Sequence, residues 1–516
     1  MFTARTKARA GLPKATARPL SPRQQAALRR NSSSAQGLSS ASIRLSGGAV
    51  HPFTKREENQ RLREYEQRIK GAFAGIEAVL QEISTQQHES DFVNKAQAIA
   101  RSRLGYELPE YLLEDSWIKP LNIGKLYSWC VFETFQQMSN EFFGGHPLSD
   151  RNEAKFQSFI ESCGFHLMDV SPCADGRLAH VIRYVLRLPY KVARRRSYAG
   201  AMFDVDDSLR KWTKTELFRH REGQPNTADE PTRYLKVAVY HYSSSQPDTQ
   251  GCAAHGSDVE KAAAGALARL HDFRQGVENR FCCGASIDLL LIGMDTDNDS
   301  IRLHLPDAKG YMDVSRFVES TALYSATSNQ GSANAQATIE AYLTQHAEEN
   351  GASLPEEGML KLAAYLLCQN ISQIDYVRQY HNGCYSDIGH NESFIGIGIG
   401  FEEVQLRNLT FFAYLKTVEE GAADVDVGIK IFTGLNVKRG LPIPIVIRQD
   451  YHSNVPAARE RAEARCHMLD EALKARFSNY VEQGMLHTLL MVRDCSSDGS
   501  AEMIGCSLHP ASEEAH

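Results

Sequence analysis

The sequence predicts a mixed protein of the α+β / α/β class, in which a disordered N-terminal arm precedes helical and sheet-containing domains. Residues 1–50 are rich in Ser, Ala and Arg and almost lack aromatic residues. Residues 52–145 carry apolar residues at three- and four-residue spacing, which is typical of amphipathic helices. Beyond residue 150, short apolar runs alternate with helical patterns, and this alternation indicates a largely parallel sheet.

Composition limits the classes of protein to consider. The 516 residues suffice for roughly two to four domains, and 42% hydrophobic with 23% charged residues is ordinary for a globular chain. No apolar run reaches the roughly 18 residues of a membrane span, so we expect no membrane partner. Eleven cysteines, odd in number and unevenly spaced, argue against a secreted disulfide framework and favour a reducing compartment with thiolate–metal chemistry.

The charge distribution separates a basic arm from an acidic body. Residues 1–50 hold nine Lys or Arg and no acidic residue, so the rest of the chain has a formal charge of −15. The arm has too little apolar surface to fold alone, which predicts disorder over 1–50. Its composition also suits an organellar transit peptide, and its charge alone would suit nucleic acid.

Three folded domains are expected after the arm. The pattern over 51–146 predicts a helical domain, which ends near Gly144 and Gly145. Residues 147–390 predict a domain of alternating strands and helices, and residues 391–516 a smaller C-terminal domain of the same kind. In these two domains we expect strands at 165–170, 234–242, 286–294, 444–447 and 489–492. We expect helices at 178–188 and 259–274.

The last third of the chain repeats the rhythm of the middle third with a period near 200 residues. In both, a strand ends in a Tyr/His/Ser segment, a helix follows, and a second strand ends in an acidic turn. An internal duplication and two unrelated α/β segments explain this rhythm equally well.

The chemistry-bearing residues lie where predicted strands end. Cys173, Asp175 and Arg177 form a Cys-x-Asp-x-Arg motif directly after a strand, although this motif alone would favour a loop cysteine beside a surface ion pair. His241 closes the next clear strand, and Cys252 lies 11 residues later. Because the carboxyl ends of parallel strands share one edge of a sheet, we expect all of them at one crevice.

Two thiolates and one imidazole suit a zinc ion and leave one tetrahedral position for water, as in catalytic zinc sites. Zinc bound by Cys173, His241 and Cys252 would generate a hydroxide nucleophile near neutral pH. Asp175 would accept a hydrogen bond from that hydroxide, and Arg177 would hold Asp175 in place. His390 or His381 is a further hypothesis, as a proton shuttle, although a plain loop role is favoured.

These residues resemble the β-carbonic anhydrases, and their surroundings, Phe165 to Asp169 and Gly251 to Gly256, resemble the carboxysome shell carbonic anhydrases. The resemblance covers roughly residues 50–516. It implies one zinc ion per chain on Cys173, His241 and Cys252, with Asp175 and Arg177 as the catalytic pair. It also implies a helical N-terminal domain, a catalytic zinc domain and a C-terminal copy of it without zinc. In ordinary β enzymes the His and second Cys are two residues apart, whereas ten residues intervene here.

A degenerate copy agrees with the C-terminal residues. His452 follows the repeated strand, but the next cysteine, Cys466, falls in a predicted helix and no Cys-x-Asp-x-Arg motif accompanies it. One active site per chain is therefore expected.

The resemblance implies reversible hydration of carbon dioxide to bicarbonate, which would supply Rubisco with carbon dioxide inside the carboxysome. The expected partners are Rubisco through the arm and shell proteins, with a homodimer or higher oligomer and no nucleic acid. Since the resembled enzymes are bacterial, an interaction arm is favoured over a transit peptide. A non-catalytic scaffold and another zinc hydrolase are the alternatives, but the deaminase pattern of His-x-Glu with Cys-x-x-Cys is missing.

Overall fold

The computed structural model describes residues 50–114, 118–145, 153–189, 193–224, 227, 232–281, 285–349, 354–415, 418–497 and 499–509. The predicted disordered arm therefore lies outside the described residues, apart from Val50. Among the described residues, no helix combines the length and the apolar character that crossing a membrane requires.

Twelve α-helices are described. In chain order they are α1 Arg56–Ser84, α2 Phe92–Arg103, α3 Ile123–Gly145, α4 Glu153–Ser162, α5 Val205–Arg221, α6 Val259–Phe281, α7 Ser320–Thr327, α8 Ser332–Glu349, α9 Glu357–His381, α10 Val418–Leu435, α11 Ala458–Arg476 and α12 Ser478–Glu482.

Eleven strands form two sheets in the described part of the chain. They are β1 Leu167–Pro172, β2 Ala193–Arg195, β3 Thr232–Tyr242, β4 Ala285–Asp295, β5 Ile301–His304, β6 Val318–Glu319, β7 Phe394–Gly398, β8 Thr410–Ala413, β9 Ile443–Tyr451, β10 Leu486–Asp494 and β11 Glu502–Cys506.

The six-stranded first sheet and the five-stranded second sheet have the same strand order over five strands. The first runs β2-β1-β3-β4-β5-β6, and the second runs β8-β7-β9-β10-β11. In each, the first four strands are parallel and the next is antiparallel. In each, a helix connects the third strand to the fourth, α6 in the first sheet and α11 in the second. This confirms the prediction of a mixed α/β chain whose sheets are largely parallel.

The helical stretch before residue 146 forms as its periodicity predicts. In α1 the apolar residues Leu62, Ile69, Phe73, Ile76 and Leu80 are all buried, because their spacing puts them on one face of the helix. That face shares one apolar core with side chains of α3 and of the C-terminal sheet. The helical region is thus fixed against the C-terminal half of the chain, hundreds of residues away in sequence.

The predicted helix at 178–188 is wrong. The segment forms a 3₁₀ turn at Gly176–Leu178 and a single π-helical turn at Val181–Val185, and Arg187 then takes a positive φ of 51°. Every side chain from 178 to 188 is buried, including Arg183 and Arg187. Contacts on all sides therefore determine the backbone conformation of this segment. Apolar periodicity predicts helices with one buried and one exposed face, so it could not predict this conformation.

Candidate metal centre

The Cys-x-Asp-x-Arg motif lies at the carboxyl end of β1, where the strand turns into a short 3₁₀ helix. The amide of Cys173 still donates to Val239 of β3 at 3.0 Å, so the cysteine is held at the sheet edge. Asp175 caps the turn, because its Oδ1 accepts from the amide of Arg177 at 2.9 Å. A Cβ on Gly176 would collide with the buried side chain of Glu392, so glycine is required at that position.

The two other candidate ligands come from β3 and the loop after it. His241 is the second-last residue of β3, and Cys252 precedes the 3₁₀ turn Ala253–His255. Cys173, His241 and Cys252 are buried, with ligand atoms within 4.8 Å of one another. The two sulfurs are 4.0 Å apart, and tetrahedral zinc with Zn–S bonds of about 2.3 Å would separate them by about 3.8 Å. The donor set therefore fits zinc with little rearrangement.

The two thiols differ in acidity. The hydrogen bond between them, followed by burial, raises the pKa of Cys173. The same bond lowers the pKa of Cys252, whose sulfur also faces the backbone amides of Ala254 and His255.

Arg177 holds Asp175 beside these ligands. Its Nε donates to Oδ1 at 2.9 Å and its Nη2 to Oδ2 at 2.7 Å. Burial alone would raise the pKa of Asp175, but the charge of Arg177, followed by those of His241 and His390, holds it well below the usual range. Asp175 is thus an ionised hydrogen-bond acceptor, 3.1 Å from Nε2 of His241.

A small pocket opens between the ligands and the C-terminal half of the chain. One wall consists of the ligands, Asp175 and residues 199–200 and 253–254. The opposite wall is apolar and consists of Phe411 from β8 with Val427 and Ile431 from α10. The sequence offered no signal for this wall, because those residues lie more than 150 positions after Cys252.

A histidine and a second carboxylate extend the cluster away from the ligands. Nε2 of His390 is 3.9 Å from Oδ2 of Asp175, and Nδ1 is 3.0 Å from Oε1 of Glu392. The side chain of His390 is 22% exposed and that of Glu392 is fully buried. Burial alone would lower the pKa of His390, but Asp175 and Glu392 raise it. His381 lies elsewhere, against Tyr385 and 3.9 Å from Glu66.

Comparisons with known proteins give one family along most of the chain. Sequence models of the carboxysome shell carbonic anhydrases match residues 51–143 as the N-terminal region, 155–390 as the catalytic domain and 391–508 as the C-terminal region. The chain is 51% identical over 476 residues to the carboxysome shell carbonic anhydrase of Prochlorococcus marinus strain MIT 9313, covering 92% of each chain. The chain belongs to the carboxysome shell carbonic anhydrase family.

More distant members agree along a similar length. Identity is 48% to the carboxysome shell carbonic anhydrase of Hydrogenovibrio crunogenus, over 88% of this chain and 87% of that one. It is 46% to that of Halothiobacillus neapolitanus, over 86% of this chain and 88% of that one. The predicted family, the predicted enzyme class of carbonic anhydrase and the predicted carboxysome location are thereby confirmed.

The geometry brings together every residue that the sequence suggested as a metal ligand or as part of the catalytic pair, whereas His381, one of the two suggested shuttles, lies apart. Cys173, His241, Cys252, Asp175 and Arg177 meet at one sheet edge, although ten residues separate His241 from Cys252. Their roles as ligands and catalytic pair stay predictions. Sequence reasoning missed Glu392 and the apolar wall, since neither belongs to a motif that spacing can reveal.

Proposed function

We propose that this carbonic anhydrase binds one zinc ion through Cys173, His241 and Cys252 and interconverts carbon dioxide and bicarbonate in the pocket beside them. The observation that carries the proposal is the convergence of two thiols, one imidazole and an arginine-held carboxylate at one buried sheet edge. Zinc bound there would supply a Lewis acid that activates water as the nucleophile.

Asp175 would orient the nucleophile in this reaction. Because Arg177 occupies both of its oxygens from one side, the carboxylate stays ionised and keeps a fixed direction. Arg177 in turn donates through Nη1 to the carbonyls of Gln250 at 2.6 Å and Ile388 at 3.2 Å. The pair is thus tied to the Cys252 loop, which supports a preorganised acceptor for a hydrogen bond that the attacking oxygen donates.

The apolar wall suits carbon dioxide as substrate. Carbon dioxide is small and has no net dipole, so Phe411, Val427 and Ile431 can hold it without competing for its oxygens. The pocket is small, which disfavours the bulkier esters and amides that other zinc hydrolases accept. The C-terminal half therefore contributes to the reaction although it supplies none of the proposed ligands.

His390 would take the proton that hydration releases. Its Nε2 is 3.9 Å from Oδ2 of Asp175, its other ring nitrogen faces Glu392, and its side chain is partly exposed. Glu392 would fix the ring orientation and stabilise the protonated imidazole. These contacts support the shuttle role for His390.

The C-terminal sheet is proposed to be a copy of the catalytic sheet without its metal. In the first sheet Tyr242 pairs with the strand-ending Asp295, and in the second Tyr451 pairs with the strand-ending Asp494. With these pairs aligned, Asp450 takes the position of His241. Ile399, whose amide donates to Arg448 at 2.9 Å, takes that of Cys173.

In the second sheet, an arginine side chain lies at the site equivalent to the proposed metal site. The buried guanidinium of Arg448 pairs with Glu403 and, at 2.8 Å, with Asp450. The loop between β9 and α11 holds no cysteine to match Cys252. These replacements support one zinc ion and one active site per chain.

The arm is proposed to recruit Rubisco. Nine positive charges without a negative one would be attracted to an acidic surface, and such attraction speeds capture and weakens with salt. Contact with shell proteins and assembly as a homodimer or higher oligomer belong to the same proposal. If the protein were a non-catalytic scaffold, it would keep these contacts, and replacing the metal ligands would not impair its role.

Stopped-flow hydration of carbon dioxide tests the proposal. The full chain is compared as purified, after removal of metal by a chelator, and after return of Zn²⁺. We expect activity to disappear with the metal and to return with it. Hydration that is unaffected by chelation, or absent from the zinc-loaded chain, would contradict the proposed centre.

A further inference from the structure

A short turn delivers a backbone amide to the sulfur of Cys173. Tyr198 pairs with Cys173 as an isolated parallel bridge, and its carbonyl accepts from the amide of Ala174 at 3.0 Å. The chain then forms the 3₁₀ turn Ala199–Ala201, in which the amide of Gly200 donates to Sγ of Cys173 at 3.2 Å. Gly200 has a φ of 66°, and a Cβ there would lie 2.7 Å from Nε2 of His255. Only glycine fits this approach.

Two side chains from different parts of the chain fix the turn. Nε2 of His255, from the turn after Cys252, lies 3.2 Å from the carbonyl oxygen of Gly200. Oδ1 of Asp424, in α10, accepts from the amide of Ala199 at 2.6 Å. Asp424 is only 7% exposed, so the C-terminal half inserts a buried carboxylate against the backbone next to a candidate ligand.

The direction of the Gly200 amide matters for a metal held by two thiolates. Two thiolates cancel the formal charge of a divalent ion, which weakens it as a Lewis acid. An N–H group aimed at one sulfur draws electron density from it, so less charge reaches the metal. Hydrogen bonds of this outer kind commonly change metal affinity or activity about 10–100-fold.

We propose that Asp424 is a positioning residue that holds the Ala199–Ala201 turn so that Gly200 donates to Cys173, and thereby tunes the metal centre from the C-terminal half. The inference rests on the proposed function, since it assumes that Cys173 is a ligand. Helix α10 would then contribute to the site in two ways, through Asp424 and through the wall residues Val427 and Ile431.

The test uses the full chain loaded with Co²⁺ in place of zinc, because a thiolate–cobalt site has a charge-transfer absorption band. In Asp424→Ala the Gly200 bond should loosen, the Cys173 sulfur should become more electron-rich, and the band should move to longer wavelength. With zinc, kcat/KM at pH 7 should fall about tenfold and recover at higher pH. Asp424→Asn keeps an acceptor oxygen and should restore both readouts.

Asp426→Ala is the matched control, because Asp426 lies two residues away on the same helix, is exposed and pairs only at the surface with Arg476 at 2.7 Å. This variant should leave the cobalt charge-transfer band and the pH dependence of kcat/KM unchanged. Asp424→Leu repeats the loss of the acceptor with more volume, should the alanine variant be poorly folded. Folded Asp424→Ala with the wild-type band and profile would overturn the inference, and so would failure of both variants to fold. A wild-type chain without any thiolate–cobalt band would instead contradict the metal centre itself.

Discussion

Arg177 and Asp175 form a bidentate pair, Nε to Oδ1 at 2.9 Å and Nη2 to Oδ2 at 2.7 Å, with both side chains almost completely buried. A buried carboxylate held in this way stays charged and cannot rotate, which is what an orienting acceptor requires. The pair is local in sequence, but its fixed position depends on the carbonyls of Gln250 and Ile388.

Replacing this carboxylate should separate catalysis from metal binding. Asp175→Asn should retain the metal and lose about 10–100-fold in hydration rate, because the amide cannot act as a charged acceptor. Stopped-flow rates and elemental analysis of the same sample provide the measurement. Asp258→Asn, at a partly exposed aspartate after the Cys252 turn, is the control. A near-wild-type rate in Asp175→Asn would refute the orienting role.

Replacing a proposed ligand should remove the metal. Cys252→Ser should lose zinc and hydration activity, whereas Cys384→Ser, at an exposed cysteine outside the pocket, should keep both. Elemental analysis should give one zinc per chain for the wild type and for Cys384→Ser. Two zinc ions per chain, or full activity in Cys252→Ser, would be incompatible with the proposed centre.

Removing the proposed shuttle should slow proton release. His390→Ala should lower kcat on the order of 10²-fold with a much smaller effect on kcat/KM, because carbon dioxide binding does not need the imidazole. Glu392→Gln should show a weaker form of the same effect. Added imidazole buffer should restore kcat, while His452→Ala, at an exposed histidine after β9, should behave as wild type. Equal losses in kcat and kcat/KM without buffer rescue would argue against a shuttle.

The thermal stability should depend on pH through Asp424. Burial raises its pKa to about 6, and only the Ala199 amide opposes this. The protonated carboxyl is therefore stabilising below about pH 4, and this stability is lost as the pH rises through about 6, by up to roughly 3 kcal/mol.

Asp424→Asn does not titrate, so its melting temperature relative to the wild type should rise between pH 4.5 and 7.5. Burial raises the pKa of Asp295 to about 6 as well, but that contribution is common to both chains and cancels in the difference. A constant difference in melting temperature across this range would contradict the shifted pKa of Asp424.

Removal of the arm should weaken Rubisco binding without affecting chemistry. A chain lacking residues 1–50 should bind Rubisco less tightly than the full chain, and salt should weaken only the full-chain complex. Binding is measured at low and high salt, and hydration activity serves as the folding control. A full chain in which the arm sequence is scrambled tests whether the charge of the arm alone is enough for Rubisco binding. Unchanged affinity after truncation would exclude recruitment by this arm.

The sequence by itself determined the class of fold and the place of the candidate site. Strand periodicity located β1, β3 and β4 within a few residues, and parallel strands bring their carboxyl ends to one edge, so Cys173 and His241 had to be neighbours. The helical region was equally readable, because each helix buries one face and the spacing of its apolar residues reports that face.

The tertiary structure decided what depends on contacts between distant segments. The stretch at 178–188 is buried on all sides, so its backbone follows its neighbours and not its own periodicity. Phe411 of the apolar wall, Glu392 beside His390 and Asp424 beside Ala199 each lie more than 130 residues after Cys252. Periodicity reports only whether a residue is buried. The packing of the two sheets decides which other residues a buried residue contacts. In this chain, that packing brings the C-terminal half against the proposed metal ligands.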